Sequence, residues 1–269
     1  MGVWSDLSRP PLAAERLNRA LARDGFGTRI EVVEQTRSTN ADVVAAARDG
    51  AAEGLVVIAE QQTAGRGRLD RQWESPPRAG LTLSVLLRPT VDIAHWGLLP
   101  LLAGLAVLEA VSAVGYVDAT LKWPNDVLVD DRKLGGLLVE LAGDAAVVGI
   151  GLNVSTREEE LPVATATSLL IAGGVTDREP LAKELLRALV RRYRVWSDAA
   201  GDAASVLPAY RERCETIGAK IELTLPDGGV ARGTAVDVDD VGRLVVVDEA
   251  TGEEHTWLVG DVTHVRRGE

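Results

Sequence analysis

Residues 97–114, GLLPLLAGLAVLEAVSAV, carry one charge in 18 positions and are apolar around nearly the whole of a helical wheel. A helix without a polar face belongs in a core and not on a surface. This segment restricts the chain more than any other, because the remaining elements have to be able to enclose it. No apolar run reaches the roughly 20 residues that span a bilayer, so the helix is predicted to lie inside a protein without a membrane segment.

The flanking elements alternate in type. PPLAAERLNRALARDG opens on prolines, places leucines at 12, 17 and 21, and closes on Gly25, which predicts a helix. IEVVEQ (30–35) reads as a short strand, and STNADVVAAARDG as the helix behind it, with Thr39 and Asp42 at capping-box spacing. GLVVIAEQQ and GLTLSVLLRP read as strands, the second stopped by Pro89. After the core helix, ATLKWPNDVLVDDRKLGGLLVEL and AAVVGIGLNV are strand-rich, broken by a turn at Pro124-Asn125-Asp126 and by Gly135 and Gly136. Residues 156–180 read as loop with a short helix. Leu181, Leu185, Leu189, Tyr193 and Trp196 then share one face of a long helix. From about Gly218 to Arg266 short β segments alternate with PDGG, DDVG and ATGEE turns, which predicts a small barrel-like appendage. Helices interspersed with strands that need not be parallel make the fold class α+β. The division falls at residues 1–215 for the larger domain and 216–269 for the β domain.

Composition narrows the function. A formal net charge of −11 argues against a general nucleic-acid binder. The lone Cys214 excludes an internal disulfide, and His95, His255 and His264 show no metal-ligand spacing. The N-terminal segment lacks the basic start and apolar core of a signal peptide. A cytoplasmic enzyme acting on small molecules is the expectation.

Against that acidic background, QTAGRGRLDRQW (62–73) concentrates Arg66, Arg68 and Arg71 on a glycine-broken loop. It is not a P-loop, which needs Gly-Lys-Ser/Thr after four residues. Nor is it a dinucleotide fingerprint, since Asp70 stands where the third glycine is required. The plain alternative is a solvated hairpin whose arginines pair with Asp70 and Glu74. KWPND (122–126) and KLGG (133–136) add lysines beside turns at the ends of apolar strands, where sites are commonly built. Each of these also has a plain reading: Lys122 as a snorkelling edge lysine, Pro124-Asn125-Asp126 as a turn, and Gly135-Gly136 as a bulge.

Taken together and in this order, GRGRLDRQW, KWPNDVLV, KLGGLLVE and GIGLNV resemble the biotin–protein ligases, with STN at 38–40 and the β-rich tail also in place. The resemblance runs from about residue 30 to 266. Asp70 departs from it, because the family usually has glycine there. The resemblance implies a mixed-sheet catalytic domain of the class II aminoacyl-tRNA synthetase and biotin ligase type, followed by a small SH3-like β-barrel. It also implies an activity: ATP-dependent activation of biotin to biotinyl-5′-AMP with release of pyrophosphate, then transfer of biotin to one lysine of a biotin carboxyl carrier domain.

The first step brings an anionic carboxylate against an anionic phosphate. Two like charges about 4 Å apart repel by about 1 kcal/mol in water and by several times that in a drier site. Fixed cations have to cancel this, and arginine suits the task because its planar fork grips phosphate and stays charged. By position in the family pattern, Arg66, Arg68 and Arg71 hold biotin and the phosphates, with Arg68 the most rate-critical. Ser38, Thr39, Asn40 and Gln62 would hydrogen-bond the ureido head of biotin. Gly65, Gly135 and Gly136 would let backbone approach the ligand. Lys133 would contact the activated carboxyl and the phosphate, Trp73 would cover the adenine, and Asn125 and Asn153 would contact the nucleotide. Asp126 would orient or deprotonate the carrier lysine. Mg²⁺ is expected with the ATP phosphates, its protein ligands unassigned. Glycines at 65 and 67 would allow the loop to open and to close over an intermediate that water would otherwise destroy.

About 30 residues precede the first strand of the resemblance, too few for the N-terminal helix-turn-helix that some of these ligases carry. A ligase without DNA or membrane partners, monomeric or weakly dimeric, is therefore the expectation. The rivals are a lipoate–protein ligase and a non-catalytic biotin- or adenylate-sensing regulator.

Overall fold

The computed structural model describes residues 8–22, 29–68, 71–225 and 228–264. In chain order its elements are α1 (Ala14–Leu21), β1 (Arg29–Val33), α2 (Thr39–Arg48), β2 (Leu55–Ala59), β3 (Gly65–Arg66), β4 (Gln72–Trp73), β5 (Gly80–Leu87) and α3 (Leu99–Ala110). They continue with β6 (Thr120–Lys122), β7 (Asp126–Val129), β8 (Arg132–Ala142), β9 (Ala145–Asn153), α4 (Arg178–Asp198) and α5 (Leu207–Arg213). The last group is β10 (Lys220–Thr224), β11 (Val230–Val238), β12 (Leu244–Asp248), β13 (Glu254–Trp257) and β14 (Asp261–His264).

Seven strands form one mixed sheet in the order β1-β2-β5-β9-β8-β7-β6, parallel only between β1 and β2. This is the α+β mixed sheet that the sequence predicts. Its two faces have different covers, which follows from the two-residue period of a strand. On β5, Leu81, Leu83, Val85 and Leu87 point into the main core with α3 and α4, whereas Leu86 points to the other side. On β9, Ala146, Val148, Ile150 and Leu152 join the main core, and Ala145 and Val147 pack against Val43 and Ala47 of α2. The helix α2 therefore covers only part of the second face. The part beside it carries small and polar residues, Thr82 on β5 with Gly149 and Gly151 on β9, and it becomes the floor of a cleft.

The all-apolar helix lies where its composition demands. Ten of the twelve residues of α3 are buried, and it packs against α4 and the β6-β7-β8 end of the sheet. The helical run is longer than the sequence suggests, because a 3₁₀ turn precedes α3 and a π turn follows it. Ile93–Gly115 makes 23 residues, long and apolar enough by length and composition to cross a membrane, but 67% of its apolar window is buried within the protein. The five α4 residues predicted to share a face, Leu181, Leu185, Leu189, Tyr193 and Trp196, are all buried.

Two local expectations need correction. The N-cap of α2 is Ser38 and not Thr39: Ser38 is extended, and its Oγ accepts from Ala41 N at 3.4 Å. Thr39 is the first helical residue, and its hydroxyl is engaged elsewhere. The C-terminal β region is a five-stranded antiparallel sheet, β13-β12-β11-β10-β14, consistent with an SH3-like domain but not a closed barrel. Its edge strands β13 and β14 do not pair with each other among the described residues.

A buried ion pair locks the N-terminal segment to this frame. Arg178 Nη1 donates to Glu60 Oε2 at 2.6 Å, Leu12 N donates to Glu60 Oε1 at 2.6 Å, and Arg178 Nη2 donates to Pro10 O at 2.7 Å. Glu60 immediately precedes the residues that lead into the arginine loop.

Candidate active site

The cleft is open to solvent at its mouth, and its lining combines residues of the main sheet, the start of α2, the arginine loop and the C-terminal sheet. Its polar end is built by α2, β5 and the residue that opens the arginine loop. Gln62 Oε1 accepts from Thr39 N at 2.7 Å and lies 3.1 Å from Thr39 Oγ1. With its oxygen turned into the start of α2, the group Gln62 has left to offer a ligand is its NH₂ donor. Ser84 Oγ lies 2.5 Å from Asn40 Oδ1 and 2.7 Å from Thr39 Oγ1. Because Asn40 Oδ1 can only accept, the Ser84 proton goes there. Asn40 Nδ2 donates to Glu140 Oε2 at 2.8 Å. Ser38, Thr39, Asn40 and Ser84 are all buried, so this end is rigid before any ligand arrives.

The arginine loop is a short hairpin, β3 paired with β4, lying over the cleft. Its three arginines each reach a different element. Arg66 Nη1 lies 3.4 Å from Glu140 Oε1 on β8. Arg68 Nη1 donates to Asn125 Oδ1 at 3.4 Å, and Asn125 is pinned to β8 by its Nδ2 bond to Leu137 O at 2.9 Å. Arg71 pairs with Asp261 on β14 of the C-terminal sheet. The plain hairpin reading, with arginines paired to Asp70 and Glu74, does not describe the partners of the three arginines seen among the described residues; Asp70 itself lies outside those residues. Burial lowers the Arg68 guanidinium below its ordinary value, while the charges of Asp126 and Asp261 act in the opposite direction. Gly260 and Asp261 line the cleft, so the C-terminal sheet contributes to the site wall.

At the β7-β8 side Lys133 Nζ and Asp126 Oδ1 form an ion pair at 2.5 Å. Gly136 faces this pair: a Cβ there would lie 3.4 Å from Lys133 Nζ and 3.7 Å from Asp126 Oδ1. Trp73 lies across β9 opposite Gly151, where a Cβ would come within 2.6 Å of the indole. Its buried Nε1 packs against Gly151 and has no hydrogen-bond partner.

Of the residues that the sequence singles out, Ser38, Thr39, Asn40, Gln62, Arg66, Arg68, Arg71, Trp73, Asn125, Asp126, Lys133 and Gly136 line this cleft. Gly65, Gly135 and Asn153 do not. A Cβ on Gly65 would strike Gln62 Nε2 at 2.5 Å and Trp73 O at 2.4 Å, so this glycine serves the packing of the hairpin. Gly135 meets Leu152 and Gly151 O in the sheet. Asn153 is buried and donates from Nδ2 to Thr167 O at 2.9 Å. Sequence reasoning missed Ser84, Glu140 and Asp261. The first had a readable signal, one of two hydroxyls, with Thr82, on the apolar strand GLTLSVLL; the other two are recognisable only through tertiary proximity.

One cleft thus sets a hydrogen-bonding recess against three guanidiniums and an ammonium. That combination can hold a carboxylate and a phosphate together despite their charge, which is the task of an ATP-dependent acyl ligase. Comparison with known proteins agrees. Residues 32–155 match the Biotin/lipoate A/B protein ligase family, and residues 216–265 match the Biotin protein ligase C terminal domain. The chain is 44% identical over 268 residues to the biotin–[acetyl-CoA-carboxylase] ligase of Mycobacterium tuberculosis, covering 97% of this chain and 98% of that protein. It is 34% identical over 220 residues to the bifunctional ligase/repressor BirA of Escherichia coli, covering 78% of this chain and 66% of that protein. Among solved structures, the biotin protein ligase of Aquifex aeolicus in complex with biotin and ATP superposes with a TM-score of 0.72 at 27% identity, over 90% of this chain and 100% of that one. The chain belongs to the biotin/lipoate A/B protein ligase family and, within it, is a biotin protein ligase.

Proposed function

We propose that this chain joins biotin to AMP at the expense of ATP and then transfers the biotinyl group to one lysine of a biotin carboxyl carrier domain. The observation that carries the reading is the meeting of the Thr39-Gln62 recess with Arg66, Arg68 and Lys133 in a single cleft. The NH₂ of Gln62 and the hydroxyl end of α2 take the ureido head of biotin. The carboxylate then points toward Lys133, and the arginines hold the phosphates of ATP.

Lys133 exchanges Asp126 for the carboxylate and the α-phosphate oxygens, and its fixed charge stabilises the negative charge that grows as pyrophosphate leaves. Asp126, released from that pair, accepts a proton from the incoming carrier lysine so that the neutral amine can attack the acyl carbon and expel AMP. Trp73 gives an apolar face to the adenylate, and Asn125 holds Arg68 in place until the phosphates arrive. The Arg71–Asp261 pair is well exposed, at 60% and 36%, and such pairs contribute about 0–1 kcal/mol, so phosphate can displace Asp261 at little cost. Mg²⁺ enters with ATP as part of the substrate. Such an ion is commonly held by the phosphates and water.

The larger domain, 1–215, and the β domain, 216–269, meet at this cleft through Asp261. The net charge of −11 argues against a general nucleic-acid partner, and a cytoplasmic ligase, monomeric or weakly dimeric, completes the proposal. The test is ATP–pyrophosphate exchange by the purified chain with biotin or with lipoate as the acid. Exchange that requires biotin supports the reading; exchange driven by lipoate, or none with either acid, contradicts it.

A further inference from the structure

Lys133 sits where the main sheet runs out of strands. Strand β9 accompanies β8 from the Ala142–Ala145 end only as far as the pair Gly135–Leu152, and it ends at Asn153. Beyond that point β8 has another neighbour. Lys133 N donates to Thr165 O at 2.7 Å, and Thr167 N donates to Lys133 O at 2.8 Å, which makes a parallel bridge between Lys133 and Ala166. Both main-chain groups of the lysine are therefore held by a segment that sequence alone reads as loop.

That segment is itself tied down from two sides. Asn153 Nδ2 donates to Thr167 O at 2.9 Å, and Leu169 N donates to Asn153 O at 3.1 Å. Ser168, fully buried, donates from Oγ to Thr156 O at 2.6 Å and accepts from Ile171 N at 3.2 Å. We propose that residues 165–168, anchored by Ser168 and Asn153, act as a positioning strap that aims the Lys133 ammonium at the reacting carboxylate and phosphate. The partner strand β7 cannot do this alone, because its pairing with β8 slips between Val127 and Leu128, directly opposite the lysine. A lysine side chain is a long lever. Rotation of its backbone by about 10° sweeps the ammonium through about 1 Å, and a displacement of that size can cost about 10²-fold in rate.

The inference rests on the proposed contact between Lys133 and the adenylate, and its test separates the two. The affinity of the full chain for a non-hydrolysable biotinyl-adenylate analogue is measured by calorimetry for the wild type, Ser168→Ala, Lys133→Ala and the double variant. A positioning role predicts about tenfold weaker binding for Ser168→Ala alone and less than twofold further loss on the Lys133→Ala background. A merely structural role would weaken both backgrounds equally. Full additivity, or unchanged binding in Ser168→Ala, overturns the strap. Unchanged binding in Lys133→Ala instead overturns the Lys133 contact. If Ser168→Ala does not fold, Asn153→Ala takes its place in the cycle, and the same results support or overturn the strap.

Discussion

Gly149 stands on the floor of the cleft, and the structure sets what a methyl group there would do. An alanine Cβ would lie 2.1 Å from Asn40 Oδ1 and 2.8 Å from Asn40 Cγ. Contact between such atoms is comfortable only at about 3.5 Å or more, so the Asn40 carboxamide has to retreat by about 1.4 Å or the strand has to shift. The carboxamide is held by Ser84 at 2.5 Å and by Glu140 at 2.8 Å, and both bonds break on retreat. A neutral hydrogen bond contributes about 1 kcal/mol and one to a charged group about 1.5–3 kcal/mol, so Gly149→Ala is expected to cost roughly 2–4 kcal/mol. Overpacking of a tight interior alone costs about 1–3 kcal/mol, which agrees. Guanidinium unfolding reads the stability, and biotin-dependent pyrophosphate exchange reads the site, where the KM for biotin should rise at least about tenfold. An alanine variant with wild-type stability and wild-type KM would refute the view that Asn40 is a rigid part of the biotin recess.

Other consequences follow from the same contacts. Arg178→Met leaves Glu60 buried and unpaired, which should lower unfolding free energy by about 3–5 kcal/mol; a loss below about 1 kcal/mol in denaturant titration would contradict the role given to that pair. Arg68→Ala should reduce the exchange rate by about 10²–10³ while the protein remains folded, and a loss of less than about tenfold would remove Arg68 from the charge-stabilising set. His264 binds Thr216 Oγ1 at 3.1 Å, that hydroxyl also accepts from Trp123 N, and the His264 pKa is lowered from its usual 6.5 by burial and by Lys122, against the opposing pull of Glu215 and Asp131. The neutral ring is thus the native form: stability is complete above about pH 6.5 and falls as pH drops toward the lower native value, where the unfolded chain takes up the proton first. Unfolding curves at pH 7.5 and 5.5 should diverge more for the wild type than for His264→Gln, and parallel behaviour would refute this.

Much of this architecture is legible from residues alone, but unevenly. The core placement of α3 follows from its lack of a polar face, and the buried stripe of α4 follows from Leu181, Leu185, Leu189, Tyr193 and Trp196 recurring at helical spacing. The cleft residues of the arginine loop and of KWPND are legible because turn chemistry and charge mark them locally. Their partners are not. Arg71 meets Asp261 across 190 positions, and nothing near either residue announces the other. The same holds for Glu140, which reads as one more surface acid until the sheet order places it beside Asn40 and Arg66. Gly135 and Gly136 look equivalent in sequence, yet strand alternation sends one into the sheet and the other toward Lys133. The segment 165–168 beside Lys133 escapes detection because a single β-bridge leaves no periodic signature, and Asn153, read from sequence as a nucleotide contact, donates its amide to Thr167 O. The cap of α2 falls at Ser38, one residue before the Thr39 that the spacing suggests, because Thr39 bonds Gln62 instead of its own helix.

If this cleft makes biotinyl-adenylate and delivers it to a protein lysine, the product can be weighed. The purified chain is incubated with biotin, ATP, Mg²⁺ and a purified biotin carboxyl carrier domain, and the intact mass of the carrier is followed. The expected outcome is a single biotinyl addition, at one lysine, that requires both ATP and biotin and is strongly slowed in Lys133→Ala. A carrier that stays unmodified, or one labelled equally well by Lys133→Ala, would contradict the roles assigned to the cleft.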